Sequence, residues 1–139
     1  MDLNAIVKQS HQAAVDAGWW ESDKGKTPLE VHMLIVSEVV EATEAVRNNE
    51  PPLFLKTSGN DGGGFSGPNG DQLIIDPCHP EHEAFVEGLK PEGECVELAD
   101  AVIRIFDWAG HKGWDMEAII QAKLAYNATR GHRHGGKAA

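Results

Sequence analysis

Residues 33–47 read MLIVSEVVEATEAVR, a long apolar run that is interrupted by acidic side chains. Its apolar residues fall on more than one side of a helical projection, which is typical of a central helix or of one buried in an oligomer. Residues three apart lie about 60° apart around an α-helix, so Glu38 and Glu41 project from the same face. The stretch therefore predicts a long helix with a pair of carboxylates on one side.

Local signals mark the start and the end of this helix. Thr27 offers a capping hydroxyl, Pro28 suits the first helical position, and Glu30 is placed to close a capping box. The helix is expected to run to about Asn48, since Pro51 and the proline after it cannot continue it.

A second acidic pair repeats the same spacing. Residues 94–100 read ECVELAD, so Glu97 and Asp100 are again three apart within apolar sequence. This helix is expected to cover about residues 94–109 and to stop at Gly110, because glycine commonly follows the last helical residue. Two helices are therefore expected to present two carboxylates each.

The four acids allow two interpretations. Like charges stacked beside a core repel each other and are costly to desolvate. Mg²⁺ or Mn²⁺ would remove that cost, because both ions prefer carboxylate oxygen. The alternative is a solvated helix face, which is what a single E-x-x-E pattern usually forms. Two such pairs in apolar sequence favour a metal site more than a single pair would, and both interpretations stay open.

The rest of the chain predicts two further long helices, one over about residues 3–17 and one from an N-cap at Asp115 to about Arg130. Residues 51–80 break the helical pattern, because glycines crowd the insertion at 57–71. Three shorter elements are expected around it, two extended and one helical: 53–55, 72–75 and 81–89. The predicted fold class is all-α, a bundle of about four long helices with a glycine-rich loop insertion.

Length and charge narrow the function classes. The chain of 139 residues fits a single domain over 1–139. Its formal net charge of −10 argues against a nucleic-acid polymer as partner, because phosphate backbones repel an acidic surface. No apolar run approaches the length of a membrane helix, and the start lacks a signal-peptide pattern, so we expect no membrane partner and a cytoplasmic protein, in the host cytoplasm if phage-encoded.

Three stretches resemble the MazG-like branch of the all-α NTP pyrophosphohydrolases. E-x-x-E on one helix followed by E-x-x-D on another is the signature of that family, and the pairs Glu38/Glu41 and Glu97/Asp100 match it. The sequence around them is similar as well, over residues 33–47, 97–110 (ELADAVIRIFDWAG) and 123–137 (KLAYNATRGHRHGGK). The chain departs from the pattern between Glu41 and Glu97, where it is longer than this family usually is.

The resemblance implies hydrolysis of a nucleoside or deoxynucleoside triphosphate between the α and β phosphates. It implies two or more Mg²⁺ or Mn²⁺ ions as cofactors, held by Glu38, Glu41, Glu97 and Asp100, with Glu41 or Glu38 as the base toward water. In length and ending the chain is similar to small phage members of the family, one of which prefers guanine nucleotides, so GTP or dGTP is the favoured substrate. Members of the family assemble as dimers or tetramers, which implies a homodimer or homotetramer.

The last helix supplies candidate substrate contacts. Lys123, Asn127 and Arg130 fall on one helix face and would bind the β and γ phosphates, although basic residues at a solvated helix end are an equal alternative. Tyr126 lies in the family-like K-x-x-Y-N-x-x-R stretch, and Arg133 adds positive charge in the tail.

An aromatic side chain is the candidate base contact. Trp20, beside Trp19, could stack on a nucleobase, but adjacent tryptophans more often pack in a core.

Two other classes remain as alternatives. A di-iron carboxylate bundle protein has Glu-x-x-His pairs, and neither Glu38 nor Glu97 has a histidine three residues on. A non-catalytic helical interaction module would leave the acidic residues in apolar sequence without a purpose. It predicts that alanine at Glu38 or Asp100 stabilises the fold.

Overall fold

Four α-helices and a small three-stranded sheet make up the computed structural model, which describes residues 2–21, 25–56 and 72–131. The helices are α1 (Leu3–Asp16), α2 (Pro28–Arg47), α3 (Glu94–Lys112) and α4 (Met116–Ala128). The strands are β1 (Phe54–Lys56), β2 (Gln72–Ile74) and β3 (Lys90–Glu92), in the order β2-β1-β3 with both pairings antiparallel. The chain is therefore mostly helical, as predicted, with a sheet that an all-α class does not include.

The start of α2 confirms the predicted capping box. The Thr27 hydroxyl accepts a hydrogen bond from the Glu30 backbone N–H at 3.2 Å, and the Glu30 carboxylate accepts one from the Thr27 N–H at 3.4 Å. Pro28 is the first helical residue, and Asn48 is the C-cap. The N-cap of α4 is also confirmed, because the Asp115 carboxylate accepts from the Ala118 N–H at 3.0 Å.

Contacts group the chain into two compact units, one comprising Met1–Gly25 with Ile105–Ala139 and the other Lys26–Arg104. In the first unit, α1 packs on α4 and on the second half of α3. Its core contains three buried side chains with three partly buried ones against them: Val7, Phe106 and Ala109, then Leu3, Ile6 and Met116. The single domain predicted for residues 1–139 stays a prediction.

The second unit contains α2, the sheet and the first half of α3. One face of the sheet forms its buried cluster, in which Leu53, Leu55 and Ile75 pack with Leu73, Ala84, Leu89 and Val96. Val96 lies in the first turn of α3, so the start of that helix is packed directly on the sheet. This packing fixes the orientation of the acidic residues that follow Val96.

The prediction that α3 ends at Gly110 is wrong, since the helix continues to Lys112. A Cβ at Gly110 would lie 2.7 Å from the His11 Cβ and 3.2 Å from the Val7 carbonyl oxygen. Glycine is therefore required at this position because α1 lies so close, and it does not end the helix. Gly113 follows the helix with φ of 71°, a left-handed conformation that glycine adopts without strain.

The other departures lie between α2 and α3. The predicted helix over 81–89 shrinks to one 3₁₀ turn, His82–Ala84, and residues 90–92 form a strand that the sequence did not predict. The extended pieces predicted at 53–55 and 72–75 are confirmed as β1 and β2 to within one residue. The glycine-rich insertion at 57–71 lies outside the described residues.

Within the part of the chain that the structure describes, no helix is both long enough and apolar enough to cross a bilayer.

Candidate metal centre

Both predicted acidic pairs lie in the second unit, Glu38 and Glu41 on α2 and Glu97 and Asp100 on α3. Three of them come together, because Glu38, Glu41 and Glu97 each place a carboxylate oxygen within 4.8 Å of the others. Glu38 is buried at 7% exposure, Glu97 is half-buried and Glu41 is exposed. The cluster therefore extends from the protein interior to solvent, which leaves one side open to a ligand.

Asp100 lies outside this group of mutually close oxygens among the described residues, yet it belongs to the same electrostatic environment. Burial raises the pKa of Asp100, and repulsion from Glu38 and from Glu41 adds to the increase. The positive charges of Arg104 and Lys90 lower the pKa of the same carboxyl. All four predicted acids thus influence one another, as a shared site requires.

The pKa of Glu97 shows most clearly that bringing these carboxylates together is unfavourable. Its pKa rises from an ordinary 4.5 to about 7, first because of burial and next because of a hydrogen bond with Glu41 and repulsion from Glu41, Asp100 and Glu38. A carboxyl that keeps its proton near neutral pH marks a place where too much negative charge has been brought together. A divalent cation would replace that proton.

Arg104 was not predicted as part of the site, and it makes the closest contact to it. Its Nε donates to Glu38 Oε1 at 2.7 Å, and the side chain of Glu38 is only 10% exposed. A buried carboxylate needs such a partner, because an unpaired charge in the interior costs several kcal/mol, on the order of 3–5. The spacing in the sequence offered no sign that the partner of Arg104 is Glu38, 66 residues away.

Lys90 on β3 is a second residue that the sequence interpretation missed. Its Nζ lies 3.0 Å from Glu92 Oε1, and this hydrogen bond and the charge of Glu92 raise the pKa of its ammonium group, with smaller contributions from Glu97 and Asp100. A Lys-x-Glu pair alone is a common surface feature, so nothing in the sequence marked Lys90.

The donor set suits a hard divalent cation. Carboxylate oxygens from two helices can bind Mg²⁺ or Mn²⁺, which take oxygen ligands, whereas zinc sites usually include histidine or cysteine. The described group contains neither of those two residue types. Among the described residues, Glu38, Glu41 and Glu97 are the group that could hold such an ion.

Of the predicted substrate contacts in the first unit, Lys123, Tyr126 and Asn127 lie on α4, and Arg130 follows its C-cap Thr129 in a turn and not on the predicted helix face. Lys123 Nζ lies 5.0 Å from the centroid of the Tyr126 ring, and the Arg130 guanidinium carbon lies 5.7 Å from it. Three of the predicted residues are thus brought together around one aromatic ring. Their contact with a substrate stays a prediction, and Arg133 lies outside the described residues.

Asn127 is unusual among these residues. Its side-chain oxygen is buried and has no hydrogen-bond partner among the residues that the structure describes. A buried acceptor without a partner costs about 1–3 kcal/mol, so such groups are rare in native proteins. This cost is compatible with a donor that arrives with a ligand or another subunit.

Trp20 takes part in a packed aromatic group of the first unit. Its Nε1 donates to Asp107 Oδ1 at 2.9 Å, and its ring stacks on His111 with centroids 4.0 Å apart. His11 Nδ1 lies 2.8 Å from the same Asp107 oxygen. These contacts give Trp20 a packing role, and stacking on a nucleobase stays a prediction.

No family model, curated protein or solved structure matches the chain. The resemblance to MazG-like pyrophosphohydrolases therefore rests on the residues and motifs of this sequence.

Proposed function

We propose that this protein is a metal-dependent nucleoside triphosphate pyrophosphohydrolase, which releases a nucleoside monophosphate and pyrophosphate. The observation that carries the proposal is the convergence of Glu38, Glu41 and Glu97 within 4.8 Å, at the boundary between core and solvent. Concentrated negative charge of this kind favours divalent ions, and phosphoryl transfer is the reaction class in which such ions contribute most.

In this proposal the four acids have different roles. Ions held by Glu38, Glu41, Glu97 and Asp100 would polarise the α-phosphoryl group and lower the pKa of a bound water. Glu38 is occupied by Arg104 at 2.7 Å, so it fixes the buried end of the site. Glu41 is exposed, so it is better placed to take a proton from water.

The favoured substrate is GTP or dGTP, and the favoured assembly is a homodimer or homotetramer. The substrate rests on the resemblance to small phage members of the family. The assembly has support from apolar side chains that are exposed on α2 and α3: Leu29, Met33, Val36, Val40, Leu98, Val102 and Ile103. A contiguous apolar surface on a helix usually marks a contact with another protein chain.

The experiment is a measurement of pyrophosphate release from the eight common NTPs and dNTPs with Mn²⁺ or Mg²⁺. We expect turnover that depends on the ion and is highest with guanine nucleotides. Glu41→Gln should lower kcat by about 10²–10⁴-fold, the usual contribution of a general base. Glu50→Gln, an exposed acid just after α2, is the matched control and should keep full activity. Absence of turnover on all eight substrates would disprove the proposal.

The Arg104–Glu38 ion pair gives a reason to keep one alternative, a non-catalytic helical interaction module. In that case Arg104 neutralises the charge of Glu38 without metal, and the remaining acids only destabilise the fold. Asp100→Ala would then raise the melting temperature, Glu38→Ala would not because Arg104 would lose its partner, and Mn²⁺ would shift neither the wild-type protein nor the variants. A metal site predicts the reverse, a wild-type Tm that rises with Mn²⁺ and variants that do not respond.

A further inference from the structure

A stripe of apolar side chains runs along one face of α2, and we call this surface the outer stripe. It comprises Leu29, Met33, Val36 and Val40, which are between 48% and 75% exposed. They follow one another at steps of four, three and four residues, so on a helix of about 3.6 residues per turn they lie within about 60° of each other. Steps of three and four are the spacing by which one helix packs lengthwise on another.

The buried side chains of α2 lie on the opposite side of the helix. They are Val31, Glu38, Ala42 and Ala45. Glu38 follows Leu29 by nine residues, which is about two and a half turns, so the two side chains point in opposite directions. A surface helix usually has one apolar face, toward its own core, and a helix that is apolar on opposite sides is usually buried on both. The outer stripe is therefore a surface that another helix is expected to cover.

The outer stripe has the same spacing in both directions along the helix. Thr43 and Arg47 continue it, and the steps from Leu29 to Arg47 are then four, three, four, three and four residues, with position 38 at the centre. A second copy of α2 that runs antiparallel therefore meets the stripe in matching register, which is the self-complementarity that a two-fold contact requires. Val36 of one copy then lies opposite Val40 of the other.

Charge favours the antiparallel direction over the parallel one. Glu30 lies in the first turn of α2 and Arg47 in the last. Antiparallel helices bring Arg47 of each copy to the end that contains Glu30 of the other, whereas parallel helices would place Arg47 beside Arg47. The Arg47 side chain is 74% exposed, and its 3.7 Å pair with Glu44 leaves it open to a second carboxylate. The two ends of α2 therefore complement each other in charge.

Two grooves widen the apolar surface beyond the outer stripe. One, of about 600 Å³, is lined by Leu29 and Met33 at the start of α2. The other, of about 210 Å³, lies between α2 and α3, where Thr43, Val46 and Leu98 line it. α2 has 20 residues and is about 30 Å long, so an antiparallel copy brings the first groove of one chain to the end of α2 that borders the second groove of the other.

We propose that the outer stripe is a two-fold contact between two copies of this chain, in which the α2 helices run antiparallel about an axis near position 38. The inference rests on the proposed function for the expectation of an assembly, and it deepens it by naming the surface and the direction of the contact. The carboxylates stay outside this contact, because Glu38 is buried on the opposite side of α2 and Glu41 lies about 110° from the centre of the stripe.

Disulfide formation between introduced cysteines tests the contact and its direction. In the full-length protein, Cys78→Ser and Cys95→Ser first remove the two exposed natural thiols. Met33→Cys and Thr43→Cys chains, coexpressed with different tags in this background, are expected to form a linked heterodimer under mild oxidation, because positions 33 and 43 lie opposite each other. Met33→Cys alone should form several-fold less linked dimer. Its two copies would be about 15 Å apart along the helix axis, and a disulfide spans at most about 7 Å between Cα atoms.

Val86→Cys is the matched control for chance collisions, since Val86 and Val36 are both 48% exposed but Val86 lies outside the helices. Coexpressed with Thr43→Cys, it should give little linked dimer. Parallel helices predict a different pattern, in which Met33→Cys links to itself and no Met33→Cys/Thr43→Cys heterodimer forms. That pattern, equal linking in the control, or a wild-type protein that sediments as a monomer would overturn the inference.

The two proposals fail on different results. If the wild-type protein hydrolyses nucleotides but sediments as a monomer or links in the parallel pattern, the inference fails and the hydrolase activity stands. If it hydrolyses none of the eight nucleotides but the Met33→Cys and Thr43→Cys chains link to each other, the proposed function fails and the contact stands.

Discussion

Glu38 and Arg104 form an ion pair in which the carboxylate is the more buried partner. The carboxylate is 10% exposed, the guanidinium 35%, and one hydrogen bond of 2.7 Å joins them. A metal ion at Glu38 would compete with Arg104 for the same oxygen. The strength of this ion pair would then set part of the affinity for that ion.

Arg104→Gln is expected to have opposite effects on the metal-free and the metal-loaded protein. Without metal it leaves Glu38 without its cation and should lower the free energy of unfolding by about 1–3 kcal/mol. With Mn²⁺ the ion replaces the lost charge, so the rise in Tm on adding Mn²⁺ should be larger than in the wild type. Melts with EDTA and with excess Mn²⁺ measure both effects.

Arg47→Gln is the matched control, because Arg47 makes a 3.7 Å ion pair with Glu44 in which both side chains are more than half exposed. Such pairs contribute about 0–1 kcal/mol. If Mn²⁺ raised the Tm of Arg104→Gln and of the wild type equally, Arg104 would not compete with a metal.

Glu97 predicts a pH dependence of the metal-free protein. Its pKa is about 7 in the folded chain against 4.5 ordinarily, so between these values the folded state keeps a proton that the unfolded state has lost. The contribution of Glu97 is therefore complete below about pH 4.5 and is lost as pH rises through about 7. Solvent screening reduces it to about 1 kcal/mol, or about 3–5 °C in Tm.

Glu97→Gln, which mimics the protonated form, should not show this loss. In EDTA the Tm of the variant minus that of the wild type should increase from about pH 4.5 to about pH 7 and then level off. Excess Mn²⁺ should restore the wild type alone, since the ion takes the place of the proton. A difference in Tm that does not change with pH would show that Glu97 titrates normally.

The sequence correctly predicted which acidic residues lie together where both residues belong to one helix. Glu38 with Glu41, and Glu97 with Asp100, follow from a spacing of three on a helix. The contact between Arg104 and Glu38 joins residues 66 positions apart, and it depends on how α2 packs on α3. No periodicity in the sequence contains that information.

At the scale of elements, the junction between β3 and α3 positions the second acidic pair. Gly93 joins them with φ of 114°, and its N-terminal neighbours are paired with β1. A Cβ at this position would overlap the carbonyl oxygens of Pro51 and Pro52. Because Gly93 has no side chain, the chain at the end of β3 can lie against the backbone of Pro51 and Pro52, which follow α2.

Gly93→Ala should destabilise the protein by more than its backbone conformation alone would cause. Left-handed strain costs about 1 kcal/mol or more, and the overlap with backbone atoms adds about 1–3 kcal/mol, since these atoms cannot rotate away. Gly88→Ala is the control, because Gly88 has φ of 87° but open space around its Cβ position. Equal urea midpoints for the two variants would mean that the close approach is unimportant.

Elements with strong local signals were predictable, and those made by long-range pairing were not. The capping box set the start of α2, and Asp115 set the start of α4. β3 contains only Lys90, Pro91 and Glu92, which lack apolar alternation and include a proline that ladders tolerate only at an edge. Its strand conformation comes from pairing with β1 across the chain.

At the scale of the whole molecule, the prominent feature is apolar surface on a chain with a net charge of −10. Leu29 is 75% exposed and Met33 62%, and with Glu30 and Leu34 they line an open groove of about 600 Å³ near the start of α2. Scattered apolar residues are normal on a surface, but a groove lined by three of them in one helix favours a contact with another chain.

Met33→Asp is therefore expected to reduce the proposed dimer or tetramer to a smaller species, because a charge in an apolar contact between subunits would be buried without a partner. Sedimentation equilibrium of the wild type and the variant gives the two masses directly. Val86→Asp is the control: Val86 is 48% exposed and lies outside the helices, so this variant has the same added charge and should keep the wild-type mass. A monomeric wild-type protein would rule out the proposed assembly, and an unchanged mass in Met33→Asp would place the contact away from this end of α2.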